Sequence, residues 1–269
     1  MPTIPVRDTT LYYEQAGQGP TLLFIHGMCG FAEVWAGQVA RLSGEFTCVT
    51  YDRRGHTRSA MGSEPDSVPA HAADAAALIE ALGLTRPVVV GSSGGARIAV
   101  ELARTRPDLL AGAVFSEPPI FSLEPAASEA FMTEVAATVR PAAETCGPRA
   151  AVDAFFALAC PGLWSRIDET IKDRYRANGP MMLSEFSGQP YQLGLEDVAG
   201  IALPALVIAG TESHPALRAI AATLAKALPD ARFSELAGSG HVTYAERPED
   251  FARVVIAFAS EVASRTPSV

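Results

Sequence analysis

The 269-residue chain reads as an α/β protein: a doubly wound, mostly parallel sheet carrying an inserted helical cap. Three observations predict this class. Short apolar runs alternate with helix-like stretches as far as Glu117, the strand pattern then vanishes from Pro118 to about Gly200, and it returns at Ala205–Gly210. Strands separated by helical stretches build βαβ units, whose strands lie parallel. The core should therefore comprise residues 1–117 and 201–269, with 118–200 inserted between the sixth and seventh strands as a cap.

In order, strands are expected near 10–16, 21–26, 46–51, 87–91 and 111–116, with helices near 33–42, 67–82 and 94–105. Thr21–Ile25 is a fully buried strand by composition. The helix from Asp66 to Leu82 carries alanines and leucines at helical spacing and stops at Gly83, the glycine that closes a helix C-terminus. Within the cap, amphipathic stretches near 125–140, 148–159, 164–177 and 180–187 are punctuated by Pro141, Gly147, Pro161-Gly162 and Gly179-Pro180. After the strand 205–210 comes a short strand at Arg232–Leu236. A terminal helix starts near Glu246, with Pro248 in its first turn and Glu249 and Asp250 at the positive end of its dipole.

With 48% apolar residues the chain is long enough to bury a large core as one domain. The net charge of −9 is scattered rather than blocked, which speaks against nucleic acid as a partner. The N-terminal Met1–Arg7 lacks an apolar leader core, and no run approaches the roughly 20 residues of a membrane helix, so a cytoplasmic protein is expected. Cys29, Cys48, Cys146 and Cys160 show no disulfide or zinc spacing, and Cys29 reads as a small buried apolar residue.

The chemistry starts at Gly91-Ser92-Ser93-Gly94-Gly95, placed between the apolar Pro87–Val90 and the helical Ala96–Ala103. Small residues on both sides of Ser93 allow a sharp strand-to-helix turn that presents its hydroxyl as a nucleophile. Upstream, Thr21–Ile25 ends in His26-Gly27-Met28-Cys29-Gly30. An attacked carbonyl needs N–H groups already aimed at its developing charge, each worth roughly 3 kcal/mol. We assign the N–H groups of Met28 and Gly94 to that oxyanion hole and read His26 as a turn-stabilising residue. The general base is His241, in Gly238-Ser239-Gly240-His241 between the last strand and the terminal helix. His56 and His71 fall in polar stretches that read as surface, and His214 precedes a proline.

This order of parts, a His-Gly turn, a nucleophile elbow and a late Gly-x-Gly-His, resembles the α/β-hydrolase superfamily over nearly the whole chain. Asp52-Arg53-Arg54-Gly55-His56-Thr57-Arg58-Ser59 is similar to the superfamily's D-x-R-G-x-G-x-S loop, with His56-Thr57 in place of x-Gly. The resemblance implies a triad acid three residues after the glycine that ends the seventh strand, but that position holds Ser213. Serine cannot stabilise an imidazolium electrostatically. Either Glu212 or Glu117 must then serve, and Glu117, at the end of the sixth strand, is preferred. Fungal zearalenone lactonases draw their acid from that strand end, and Tyr12-Tyr13-Glu14-Gln15, Ser116-Glu117-Pro118-Pro119 and Thr211-Glu212-Ser213 look like segments of theirs.

The cap supplies Phe131, Phe155, Trp164 and Tyr191 among the apolar side chains able to line a pocket, which points to a bulky, largely apolar substrate. Gly27 and Trp164 are the expected substrate contacts. The sequence therefore predicts a serine hydrolase of esters or lactones that needs no metal or organic cofactor. Its partner would be a small-molecule ester or lactone, with neither nucleic acid nor membrane involved, and the chain a monomer or homodimer. A perhydrolase or a carbon–carbon bond hydrolase on the same triad, or a non-catalytic small-ligand receptor, are the alternatives.

Overall fold

The structure is a computed structural model and describes residues 2–265. Eight strands form one sheet: β1 (Thr3–Val6), β2 (Thr9–Ala16), β3 (Thr21–Ile25), β4 (Thr47–Tyr51), β5 (Val88–Ser92), β6 (Gly112–Ser116), β7 (Ala205–Gly210) and β8 (Ala231–Leu236). Their spatial order is β1-β2-β4-β3-β5-β6-β7-β8. β1 and β2 pair antiparallel, β2 meets β4 antiparallel, and every pairing from β4 to β8 is parallel. The core helices are α1 (Ala36–Leu42), α2 (Val68–Ala81) and α3 (Gly94–Thr105). Between β6 and β7 lie α4 (Pro125–Cys146), α5 (Pro148–Ala159), α6 (Pro161–Trp164), α7 (Glu169–Ala177), α8 (Gly179–Ser187) and α9 (Leu195–Ala199). The chain continues with α10 (Pro215–Ala227), α11 (Thr243–Glu246) and α12 (Pro248–Arg265).

Parallel strands are apolar on both faces because helices cover both. Leu23 and Ile25 of β3 join Val89 and Phe115 in one core with residues of α2, α3 and α10. Leu22 and Phe24, pointing the other way, join Val90, Val114 and Leu206 in a second core with Trp35, Phe251 and Val255. The insertion has its own cluster, in which Phe131, Phe156, Trp164, Tyr175 and Met182 pack with Cys29 and Phe31 from the loop after β3.

Asn178 and Glu185 are among the polar side chains that tie the insertion to the core. Asn178, buried between α7 and α8, donates through Nδ2 to the carbonyls of Cys29 (3.1 Å) and Gly30 (2.9 Å) and accepts from the Thr57 N–H at 3.0 Å. Glu185 of α8 accepts from Arg53 at 2.6 Å. On the core side, Arg54 holds Asp74 through two bonds of 2.5 and 2.7 Å, fixing the loop after β4 against α2, with both side chains buried.

The sequence pattern differs from this architecture in several places. α4 runs through Pro141 to Cys146 rather than breaking there. A proline removes one helical N–H, but the Ala137 carbonyl it would have bonded is exposed and can bond water instead. The expected helix 164–177 begins only at Glu169, five residues after α6 ends at Trp164, and there the Asp168 carboxylate caps the Thr170 N–H at 2.8 Å. β1 carries one buried side chain in four residues, too little to show a period. α10 has no counterpart in the sequence pattern, although its buried face carries Leu217, Ile220 and Leu224 beside Ala216 and Ala221. Among the described residues no helix is long and apolar enough to cross a membrane.

The sheet and α3 meet at Gly95. A Cβ there would lie 2.1 Å from the Ile25 carbonyl oxygen and 2.7 Å from that of His26, both immobile backbone. Gly95→Ala should therefore destabilise the protein by about 3 kcal/mol, measured by urea unfolding. Gly162→Ala, at a site open to solvent, should be neutral or slightly stabilising. Equal effects from the two would contradict this account of the packing.

Candidate active site

Ser93 occupies the turn between β5 and α3 with φ 53° and ψ −121°, a conformation that costs a non-glycine residue roughly 1–3 kcal/mol. Its N–H donates to the Ser116 carbonyl (2.9 Å), and its own carbonyl accepts from Ala96 and Arg97 in the first turn of α3. Held this way, its hydroxyl lies 2.9 Å from His241 Nε2. The other ring nitrogen, Nδ1, lies 3.1 Å from Glu117 Oε2. A carboxylate only accepts, so Nδ1 carries the proton, leaving Nε2 of a neutral ring to accept from Ser93.

Glu117 follows β6 directly, is fully buried, and also has a positive φ of 54°. Its N–H donates to the Ile208 carbonyl at 2.9 Å. The Gly210 N–H donates to Oε1 at 2.7 Å and the Ser213 hydroxyl to Oε2 at 2.6 Å. The residue standing where an acid was expected is thus a donor to the carboxylate that lies against the imidazole. Glu212 is exposed, and among the described residues only its N–H is engaged, with the Ser239 carbonyl at 2.8 Å.

The His241 loop is fixed from both sides. Glu246 accepts from the N–H groups of Gly240 (2.9 Å) and Val242 (3.0 Å), which flank the histidine. Gly210 lets the loop approach β7, since a Cβ there would lie 2.3 Å from the carbonyls of Ser239 and Gly240. Together these place the imidazole between hydroxyl and carboxylate.

Two N–H groups stand beside the hydroxyl. Gly94 is the first residue of α3, where an N–H has no intrahelical acceptor. A Cβ built on it would lie 3.3 Å from the Met28 nitrogen, so the two donors are neighbours. Gly27 abuts the same turn, 3.2 Å from the Ser93 Cβ by the same measure. His26 is buried. It accepts from the Arg53 N–H at 3.0 Å through Nε2 and bonds the Gly27 carbonyl at 2.8 Å through Nδ1, so it holds the turn.

Ser93, His241, Met28 and Gly94 open into a cavity of about 380 Å³, walled by Phe131, Met132, Phe155, Phe186 and Tyr191. A side chamber of about 40 Å³ also reaches Ser93 and His241 and is lined by Gly27, Phe156 and Tyr175. Trp164 does not come to either space. It is buried, stacked on Phe156 at 4.7 Å with Tyr175 edge-on at 5.9 Å. Its flat face is used inside the insertion, which corrects the expectation of a substrate contact.

The polar stretches around His56 and His71 are likewise not surface. Both rings are buried, His56 bonded by Arg53 at 3.0 Å and His71 by Asp66 at 2.7 Å. Burial and the Arg53 charge lower His56 to about 3 and also lower His71. Arg53 and Arg97 converge on Glu185, at 2.6 and 3.1 Å. Burial raises the Glu185 carboxyl, but the two guanidiniums outweigh it and bring it down to about 2. The sequence pattern did not mark Arg53, Arg97 or Glu185 as site residues, and nothing local could have joined residues 132 positions apart.

The model of the Alpha/beta hydrolase family matches residues 22–254. The provisionally named carbamate hydrolase RutD of Azorhizobium caulinodans is 26% identical over 97% of this chain and 99% of its own length. A 2-(acetamidomethylene)succinate hydrolase of Mesorhizobium japonicum is 34% identical over 41% of this chain and 40% of its own. Among solved structures, the enol-lactonase from Burkholderia xenovorans superposes with a TM-score of 0.76 at 25% identity, covering 96% of this chain and all of that one. The sheet order, the turn at Ser93 and these matches give one conclusion: the chain belongs to the Alpha/beta hydrolase family.

Proposed function

We propose that this hydrolase cleaves a carboxylic ester or lactone of a bulky, largely apolar small molecule through an acyl-enzyme formed on Ser93. The observation that carries this reading is the continuous hydrogen-bonded path from Ser93 Oγ through His241 to Glu117. His241 Nε2 takes the Ser93 proton as Oγ attacks the carbonyl carbon. The N–H groups of Met28 and Gly94 receive the oxyanion, while Glu117 orients the imidazole and stabilises its cationic form. The imidazolium then protonates the leaving alkoxide, and water repeats the cycle on the acyl-enzyme. Gly27 forms part of the floor against which the acyl group lies.

Residues 118–200 act in this reading as a cap over a core made of 1–117 and 201–269. The apolar walls of the cavity come mainly from that segment and suit hydrocarbon rather than sugar or peptide. The likeness to an enol-lactonase supports keeping cyclic esters beside open ones.

Ser93→Ala and His241→Ala should each lower kcat for p-nitrophenyl ester hydrolysis by about 10⁴–10⁶-fold, since members of such a relay act as a unit. Each variant should keep the fold by circular dichroism. Retention of more than a few per cent of activity would refute the mechanism, and failure of a fluorophosphonate to label Ser93 in the native protein would favour a receptor instead.

Glu117→Gln should lower kcat by about 10²–10⁴-fold, because an amide keeps the shape but cannot stabilise the imidazolium. Glu212→Gln, altering a solvent-facing side chain, should leave kcat close to normal. The reverse pattern in parallel assays would transfer the role to Glu212.

A further inference from the structure

Arg97 stands in the first turn of α3, at the positive end of that helix, where a cation is disfavoured. A guanidinium has five N–H donors. Among the described residues Arg97 has one hydrogen bond from its side chain, Nη2 to Glu185 at 3.1 Å, and its Nε is buried without any partner. Glu185 is shared with Arg53, so one carboxylate directly serves two guanidiniums, while the nearby Asp66 is bonded by His71. The side chain lines the cavity beside Ser93. A Cβ on Gly94 would lie 3.8 Å from Arg97 Nη2 and 3.8 Å from Glu185 Oε2, so this ion pair borders the Gly94 N–H proposed for the oxyanion.

We infer that Arg97 is a specificity-determining residue that receives a carboxylate of the substrate, so that the preferred ester or lactone carries an acid group a few bonds from its scissile carbonyl. Glu185, itself fixed by Arg53, holds the guanidinium in place, and the apolar walls take the carbon chain between the two carbonyl groups. A carboxylate is favoured over a neutral acceptor because it supplies the two oxygens and the charge that a half-used guanidinium lacks. The inference rests on the proposed ester or lactone hydrolysis for the turnover part of its test, but not for the binding part.

The experiment compares the monomethyl esters of succinic, glutaric and adipic acids with neutral methyl esters in which an isopropyl group replaces the carboxylate. The native protein should prefer at least one acidic member by kcat/KM. Arg97→Gln should reduce that preference about 10- to 100-fold while changing the neutral ester little, and Arg97→Lys should keep part of it. In parallel, calorimetry with glutarate should show binding to the native protein that is lost in Arg97→Gln. Hydrolysis of the neutral esters with no acidic preference, or an equal loss on both series in Arg97→Gln, would overturn the inference and leave the hydrolase reading standing. Absence of any turnover would sink the ester reading, and glutarate binding that depends on Arg97 would still uphold the anion site. Absence of that binding together with no acidic preference would end it.

Discussion

The conformation of Ser93 is the constraint around which the neighbouring elements are arranged. A serine with φ 53° stays there only if surrounding backbone allows no relaxation. The Ser116 carbonyl on one side and the first turn of α3 on the other provide that restraint. α3 can sit so close to β3 only because residue 95 has no side chain to strike the Ile25 carbonyl. The strain is local, and the sheet that opposes it is buried on both faces.

The carboxylate shows a second arrangement of the same kind. Glu117 is also held at positive φ, with both oxygens occupied by fixed donors from β7 and the turn after it. Ser213 therefore does not merely mark a missing acid. Its hydroxyl donates to the carboxylate that lies against His241, and the two residues follow the ends of adjacent strands.

Much of this was legible in the sequence because it is local. The strand-turn-helix at Gly91–Gly95 and the glycine-flanked His241 declare themselves through residue types that a tight turn demands. The preference for Glu117 over Glu212 rests on the strand end beside the nucleophile strand and on the lactonase resemblance, and Glu117 Oε2 lies 3.1 Å from His241 Nδ1. What could not be read depends on long-range burial. His56 and His71 sit among polar neighbours in sequence, yet their rings lie inside because Arg53, Asp66 and Glu185 surround them with partners. Trp164 followed a different competition: aromatic packing inside the insertion claimed a side chain that looked available for ligand. Pro141 does not end α4, and the carbonyl it leaves without a donor belongs to the exposed Ala137.

Asn178 and Glu185 carry a consequence for how molecules reach Ser93. Swinging the 118–200 segment away as a rigid body would strip Asn178 from three backbone groups and part Glu185 from Arg53. Each intramolecular hydrogen bond contributes about 0.5–1.5 kcal/mol net, so the three bonds of Asn178 by themselves disfavour such an excursion. Phe186 and Met132, by contrast, are large rim side chains that are more than a third exposed and turn on the nanosecond scale. Changes in the shape of the cavity wall on that scale therefore need no parting of Asn178 or Glu185 from the core.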